Sequence, residues 1–425
     1  MPRIKISESK DYFVDEEGKK FFYLADTVWS AFTNISMEEW VEYLDYRKMQ
    51  NFNVLQINIL PQWDASPSDI NILPFKLKSD GSWDFYNINQ TYFDRAEQMV
   101  RMAWERGFIP ALVILWCNYV RDTWGSKINP QNIMPFDFVK PWVEYIGERF
   151  GKYDPIFIIS GDTNFEGPQA IDYYLTALET IKDKCPHCLT TMHLSGGFWE
   201  LPKEFEMSSK LDFYMFQSGH DVTRQDLAYI LAEKFMAKTI KRPIVNGEPC
   251  YEGHSYGNNY GRFTSFDVRK AVWSSLLSGA KAGVTYGAHG IWSWHKKGKD
   301  FISKKFSGIP YDWKTALIFE GAWDISFTRW LFETFDLFDL SPAYKVLNET
   351  NDIRMAVSKD NKKIAIYIPY ATEVSIDMDL SAYELVGVIL DNRHVIKPES
   401  NIEGNKTMIY MYQFNSDVIV LGEKS

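Results

Sequence analysis

The chain has 425 residues, 45% of them hydrophobic and 24% charged, which is the make-up of a folded protein long enough for two domains. Its net charge of −10 excludes the basic surface that non-specific binding to nucleic acid or to anionic membranes requires. Aromatic residues reach 16%, with 15 Trp, 24 Tyr and 29 Phe, a stock of flat faces on which the C–H edges of sugar rings can stack.

The opening MPRIKISESKDY lacks the apolar stretch of a secretory leader, and no run of about 18 apolar residues follows anywhere. The expectation is a cytoplasmic protein, or an exported one if a leader has been removed. Four Cys in so long a chain make no disulfide framework. CPHC at 185–188, with His193 beyond it, has C-x-x-C spacing, but no second such pair accompanies it. It reads as a connection between a helix and a strand, and neither metal nor cofactor is expected.

Short apolar runs then alternate with longer amphipathic ones. Strands are expected at 21–25, 53–60, 108–115, 155–160, 189–194, 212–217, 242–247 and 283–288. Helices are expected at 36–50, behind a Ser36 cap with Glu39 three residues on, and at 91–106, 136–150, 168–183, 223–239 and 266–281. The segment 195–210 carries the weakest helical pattern. Eight strands alternating with helices over about 300 residues predict a (β/α)₈ barrel over 1–340. An open doubly wound sheet would carry a glycine-rich turn after its first strand, and ADTVWSAF has none. From 352 onward short strands separated by polar turns predict an antiparallel β-sandwich over 345–425.

Chemistry in such a barrel sits at the C-terminal ends of the strands. Asp26 ends the first, with Trp29 just beyond it, and Gln56 and Asn58 alternate along the second. Trp116 and Asn118 end the third, Asp162 the fourth, His193 the fifth, and Gln217 and His220 the sixth. Glu248 ends the seventh, with Tyr251 nearby, and the eighth runs into His289, Trp292 and Trp294. Asp26, Trp29, Gln56, Asn58, Trp116, Asn118, His193, Gln217, His220, Tyr251, His289, Trp292 and Trp294 are therefore candidates for substrate binding. Glu166 and Glu252, just past strands four and seven, are candidates for support.

Asp162 and Glu248 stand out. Glycoside hydrolysis needs one acid to protonate the leaving oxygen and one carboxylate to attack or stabilise the anomeric carbon. Strands four and seven face each other across a barrel mouth. Asp162 follows the apolar run IFIIS, which favours a retained proton, whereas Glu248 stands among polar neighbours that can keep it ionised. The pair predicts a glycosidase acting on an oligosaccharide, with no nucleic-acid or membrane partner. Two alternatives use the same rim: a catalytically silent carbohydrate-binding protein, and a metal-dependent hydrolase built on His193, His220 and His289.

Several stretches together resemble the apiosidase-like glycoside hydrolases, a (β/α)₈ family. YFVDEEGKKFFYLADTVW resembles the family's opening hairpin and first strand, with Ala25 and Val28 in place of a glycine and an alanine. ISGDTNFEG, DFYMFQSGH, NGEPCYEG and YGAHGIWSW resemble its strands four, six, seven and eight. The segment DIRMAVSKDNKKIAIYIPYATEVSIDMDLS resembles the small β domain of collagen-binding type that often follows. The resemblance implies Asp162 as acid/base and Glu248 as nucleophile, and a substrate related to plant-cell-wall pectin.

Overall fold

The computed structural model describes residues 3–257 and 260–424. Eight parallel strands form the barrel: Tyr23–Thr27, Val54–Asn58, Ile109–Trp116, Ile156–Gly161, Thr190–Thr191, Tyr214–Gln217, Ile244–Glu248 and Gly283–Tyr286. In chain order they are strands one to eight. Their hydrogen-bonded order is five-four-three-two-one-eight-seven-six, the sequential order of a barrel. Strands five and six close it through the N–H of Asp212 to the carbonyl of Thr190 at 3.0 Å and Thr191 Oγ1 to the carbonyl of Phe213 at 2.9 Å.

Each of these strands is buried along its whole length, as parallel strands covered by helices must be. The helix Met37–Met49 begins at the Ser36 capping box, and Gln90–Glu105, Phe136–Phe150, Pro168–Lys184, Leu227–Met236 and Ser265–Leu276 follow. Strand five is shorter than expected, because Met192 and His193 leave the ladder before Leu194 rejoins it in a single parallel bridge to Thr163. Between 195 and 210 only one helical turn forms, Lys203–Glu206. A further helix, Glu320–Thr334, has no counterpart in the sequence reading. Its buried face carries Asp324 and Thr328, which break the apolar stripe. Asp324 is buried because Arg269 reaches it at 2.8 Å.

Beyond the barrel lie a six-stranded and a three-stranded antiparallel sheet. The larger begins at Leu340–Pro342, paired with Arg354–Ser358. Alternation along its strands separates two apolar faces. Met355, Ile364, Ile366 and Val420 join Val374, Ile376 and Ile409 of the smaller sheet in one core. Ala356, Ala365, Tyr367, Ile419 and Leu421 point the other way and belong to the barrel's core. The larger sheet is thus the middle layer. Arg269 fastens it to the barrel, with Asp417 on one side of the guanidinium and Asp324 on the other, each at 2.8 Å. Among the described residues, no helix is long and apolar enough to cross a membrane.

Candidate active site

A cavity of about 400 Å³ opens at the C-terminal end of the barrel. Asp162, Glu248, Trp29, Trp116, Gln217, His220, Tyr251 and Trp292 line it, together with Gln62, Trp63, Asp64, Trp124, His254 and Phe306. A second lobe of about 730 Å³ shares Trp124, Asp162, Gln217, His220 and Phe306 with it and runs past Asn164, Trp199 and Arg224. Asp162 therefore stands where two cavities meet.

Asp162 has a left-handed backbone, φ 50°. That conformation is costly for most L-residues and tolerated best by Asp and Asn. Its surroundings hold it there: the N–H donates to His193 Nδ1 at 3.4 Å, and the carbonyl accepts from Trp124 Nε1 at 2.8 Å and Ser195 Oγ at 2.6 Å. The preceding Gly161 cannot be replaced sterically, since a Cβ there would meet the Trp116 ring at 2.2 Å. The indole of Trp116 lies directly on this backbone. Burial, then the nearby charges of Glu248 and Asp64, push the Asp162 carboxyl well above the usual range.

Glu248 is placed by a bulge. Phe216 pairs with Asn246, but Gln217 pairs with Glu248, so Gly247 is the extra residue. A Cβ on Gly247 would collide with Met215 at 2.4 Å. The bulge sets Gln217 Nε2 at 2.7 Å from Glu248 Oε1, where it donates a hydrogen bond. His220 Nε2 reaches the same oxygen at 2.9 Å, and His193 Nε2 lies 3.2 Å from Oε2. Burial alone would raise this carboxyl, but the hydrogen bond from His220 and the close approach of His193 outweigh it and hold Glu248 below the usual range.

The two histidines are oriented by backbone. Each accepts an N–H at Nδ1, His193 from Asp162 and His220 from Tyr251 at 3.2 Å, which leaves Nε2 as the donor toward Glu248. His193 also lies 3.6 Å from Asp162 Oδ1 through Nδ1, so one imidazole reaches both carboxylates. Two carboxyl groups thus line one cavity, one pushed toward its protonated form and the other toward its ionised form.

The other sequence candidates divide. Trp29 donates to the Tyr251 hydroxyl at 3.2 Å and packs edge-on to Trp116, and all three rings line the cavity. Trp292 lines it too, with its indole N–H donated to His289 Nδ1 at 3.1 Å. His289 is buried behind it, bonded to the Gly308 carbonyl, and burial lowers its pKa to about 3. Trp294 takes no part in the wall. It stacks on Trp313 at 4.5 Å and donates to Glu39 at 3.1 Å. Asp26 lies under the rim, fully buried, bonded by Arg47 at 2.6 Å and the Tyr43 hydroxyl at 2.7 Å. Gln56 donates to Tyr23 and Thr285 inside the barrel. Asn58 donates to Gln62, and Asn118 is buried in the turn after strand three, off the wall. Glu252 accepts from the Tyr286 hydroxyl and the N–H of Gly321, away from the cavity, and Glu166 lies 3.8 Å from Lys127.

Asp64, Trp63, Trp124 and His254 line the cavity without having been singled out in the sequence. They stand in loops several residues past the strand ends. The doublet Trp63-Asp64 in NILPQWDASPS, a carboxylate beside an aromatic at the mouth of strand two, was the available signal. Among the described residues, no group of three or more His, Cys, Asp or Glu could hold a metal ion.

The family model described as "Apiosidase-like, catalytic domain" matches residues 7–339. No curated protein matches the chain. A solved structure described as a glycoside hydrolase superposes with a TM-score of 0.82 at 21% identity, covering 100% of this chain and 97% of its own. A glycoside hydrolase family 5 protein from Bacteroides vulgatus ATCC 8482 gives 0.81 at 21% identity, covering 99% and 93%. A family 30 endoxylanase from Clostridium papyrosolvens C71 gives 0.53 at 9% identity, covering 95% and 96%. At these identities the likeness concerns the fold alone. The family rests on the match over residues 7–339: this chain belongs to the apiosidase-like glycoside hydrolases.

Proposed function

We propose that the protein cleaves a glycosidic bond in a plant-cell-wall oligosaccharide related to pectin, with retention of anomeric configuration. The observation that supports the mechanism is His193, a single ring with Nδ1 3.6 Å from Asp162 Oδ1 and Nε2 3.2 Å from Glu248 Oε2, which sets the two carboxyl groups on either side of one imidazole. Retaining enzymes hold their carboxyl groups about 5–5.5 Å apart, whereas inverting ones leave about 6.5–9.5 Å for a water.

Glu248, ionised and aimed by Gln217 and His220, attacks the anomeric carbon and forms a glycosyl-enzyme. Asp162 gives its proton to the departing oxygen. It then takes a proton from the water that releases the sugar, so both carboxyl groups return to their starting states. The aromatic walls of Trp29, Trp116 and Trp292 support sugar rings, and the second lobe past Asn164 and Arg224 accommodates the leaving portion. Among the described residues, none of the two C-terminal sheets lines either lobe, which supports 1–340 as the catalytic unit and 345–425 as an accessory β domain.

The test is a screen of pectin-derived oligosaccharides followed by NMR of the first-formed anomer. Retention is expected, and initial release of the opposite anomer would replace this mechanism by inversion. With Glu248→Ala, activity on an activated aryl glycoside should collapse, and added azide should restore part of it as a glycosyl azide.

A further inference from the structure

A third carboxylate stands in the cavity. Asn58, at the end of strand two, donates Nδ2 to Gln62 Oε1 at 3.0 Å, and Gln62 donates Nε2 to Asp64 Oδ1 at 3.0 Å. Both amides are buried, so this relay fixes Asp64 against the wall that also carries Asp162 and Glu248. Asp64 is half-buried, Gln62 is its side-chain partner, and among the described residues no cation offsets the water it loses there. A carboxyl placed this way costs stability unless something else uses it. Burial, with the charge of Glu248, pushes it up to about 7.

A second observation concerns donors. Trp116 is 1% exposed and lines the same cavity, yet its indole N–H has no acceptor among the described residues. The indole N–H of Trp63, beside Asp64 in the chain, likewise lacks an acceptor among the described residues, and Gln217 Oε1 lacks a donor. The cavity wall thus combines an anchored acceptor with buried donors that lack partners among the described residues. Each sugar hydroxyl donates one hydrogen bond and accepts others, so it matches such a set.

We propose that Asp64 is a specificity-determining residue that binds hydroxyl groups of the sugar whose glycosidic bond is cleaved, with the indole N–H groups of Trp116 and Trp63 as complementary donors. This rests on the glycosidase reading above. Asp64 takes no part in proton transfer, which belongs to Asp162 beside His193. Its effect is selectivity: a sugar lacking the matching hydroxyl would leave buried polar groups unpaired, a loss that binding sites of this kind penalise heavily.

The probes are 4-nitrophenyl pentosides and hexosides of both anomers, and the monodeoxy analogues of whichever the wild type hydrolyses best. Asp64→Ala should raise KM and lower kcat/KM about 10- to 100-fold on the parent glycoside. Asp64→Asn, which keeps the shape and can still accept from Gln62, should recover most of that loss. One monodeoxy analogue should be poor for the wild type by a similar factor, and Asp64→Ala should no longer distinguish it from the parent. The dependence on leaving group should stay as in the wild type. Melting curves of both variants establish that they fold. An unchanged KM in Asp64→Ala, or intact discrimination against every deoxy analogue, would overturn the proposal. So would a loss that grows as the leaving group worsens, since that marks a proton donor. If the wild type hydrolyses none of the panel, the glycosidase reading itself fails and the role of Asp64 falls with it.

Discussion

His220 and Glu248 meet at 2.9 Å, Nε2 to Oε1, while the backbone N–H of Tyr251 occupies the other imidazole nitrogen. The backbone therefore decides which nitrogen donates, and the donated bond favours the ionised carboxylate. Removing it should weaken Glu248 as a nucleophile and raise its pKa. His220→Ala is expected to lower kcat/KM about 10- to 100-fold, the range for a hydrogen bond to a charged group. The acidic limb of the pH profile should move to higher pH, because Glu248 would protonate sooner. His220→Gln should recover part of both. A profile with its acidic limb unmoved would show that His220 does not act through Glu248.

Asp162 must be protonated to act as the acid, and its pKa is raised by burial and by Glu248. Activity should therefore fall on the alkaline side as pH rises through that raised value. Asp162→Asn should abolish this limb. It should also cost far more on poor leaving groups than on activated aryl glycosides, since good ones depart without a proton. Equal losses on both kinds of substrate would contradict the assignment.

The same residue should lower stability at neutral pH. A carboxyl that holds its proton more tightly folded than unfolded favours the fold at low pH. That advantage disappears as pH climbs from the unfolded value, about 4, through the raised folded one. Asp162→Asn removes the titration, so its melting temperature should exceed the wild type's by a margin that grows between acidic and neutral pH. Scanning both proteins across that range is the check; a constant or shrinking margin would contradict it.

Trp292 and Trp294 occupy neighbouring positions with different surroundings. Trp292 lines the cavity, whereas Trp294 stacks on Trp313. Trp292→Ala should raise KM tenfold or more, about 1.4 kcal/mol. Trp294→Ala should instead destabilise the fold by about 3–5 kcal/mol, the usual loss for a large buried aromatic, with KM near the wild type's. Denaturant melts and kinetics on both variants separate the two effects.

Arg47 and Asp26 are fully buried and joined at 2.6 Å beneath the rim. Breaking such a pair from one side leaves an uncompensated charge, and about 3–5 kcal/mol is expected for Arg47→Met. Activity per folded molecule should be nearly unchanged, since neither residue lines the cavity. A large loss of kcat in fully folded protein would place Asp26 in the catalytic machinery after all.

The alternation of strands and helices, the change to all-strand patterning after the barrel, and the two carboxylates at the mouths of strands four and seven are all legible in the order of the amino acids. These are local properties: apolar runs that bury on both faces, a capping box at Ser36, and polar residues where each run stops. Tertiary structure decided what those polar residues face. Asp26 and Glu248 both end strands, yet one meets Arg47 and the other meets two histidines and a cavity. The helix over 320–334 escaped the pattern because its buried Asp324 is neutralised by Arg269, fifty-five residues earlier in the chain. Asp64 escaped it because its place depends on an amide relay from Asn58 through Gln62, and no periodicity records such a relay. Side-chain spacing along a strand tells which residues share a face. Which partner waits there is set by segments distant in sequence, and the pKa of a carboxylate follows from that partner and from the water the surrounding elements exclude.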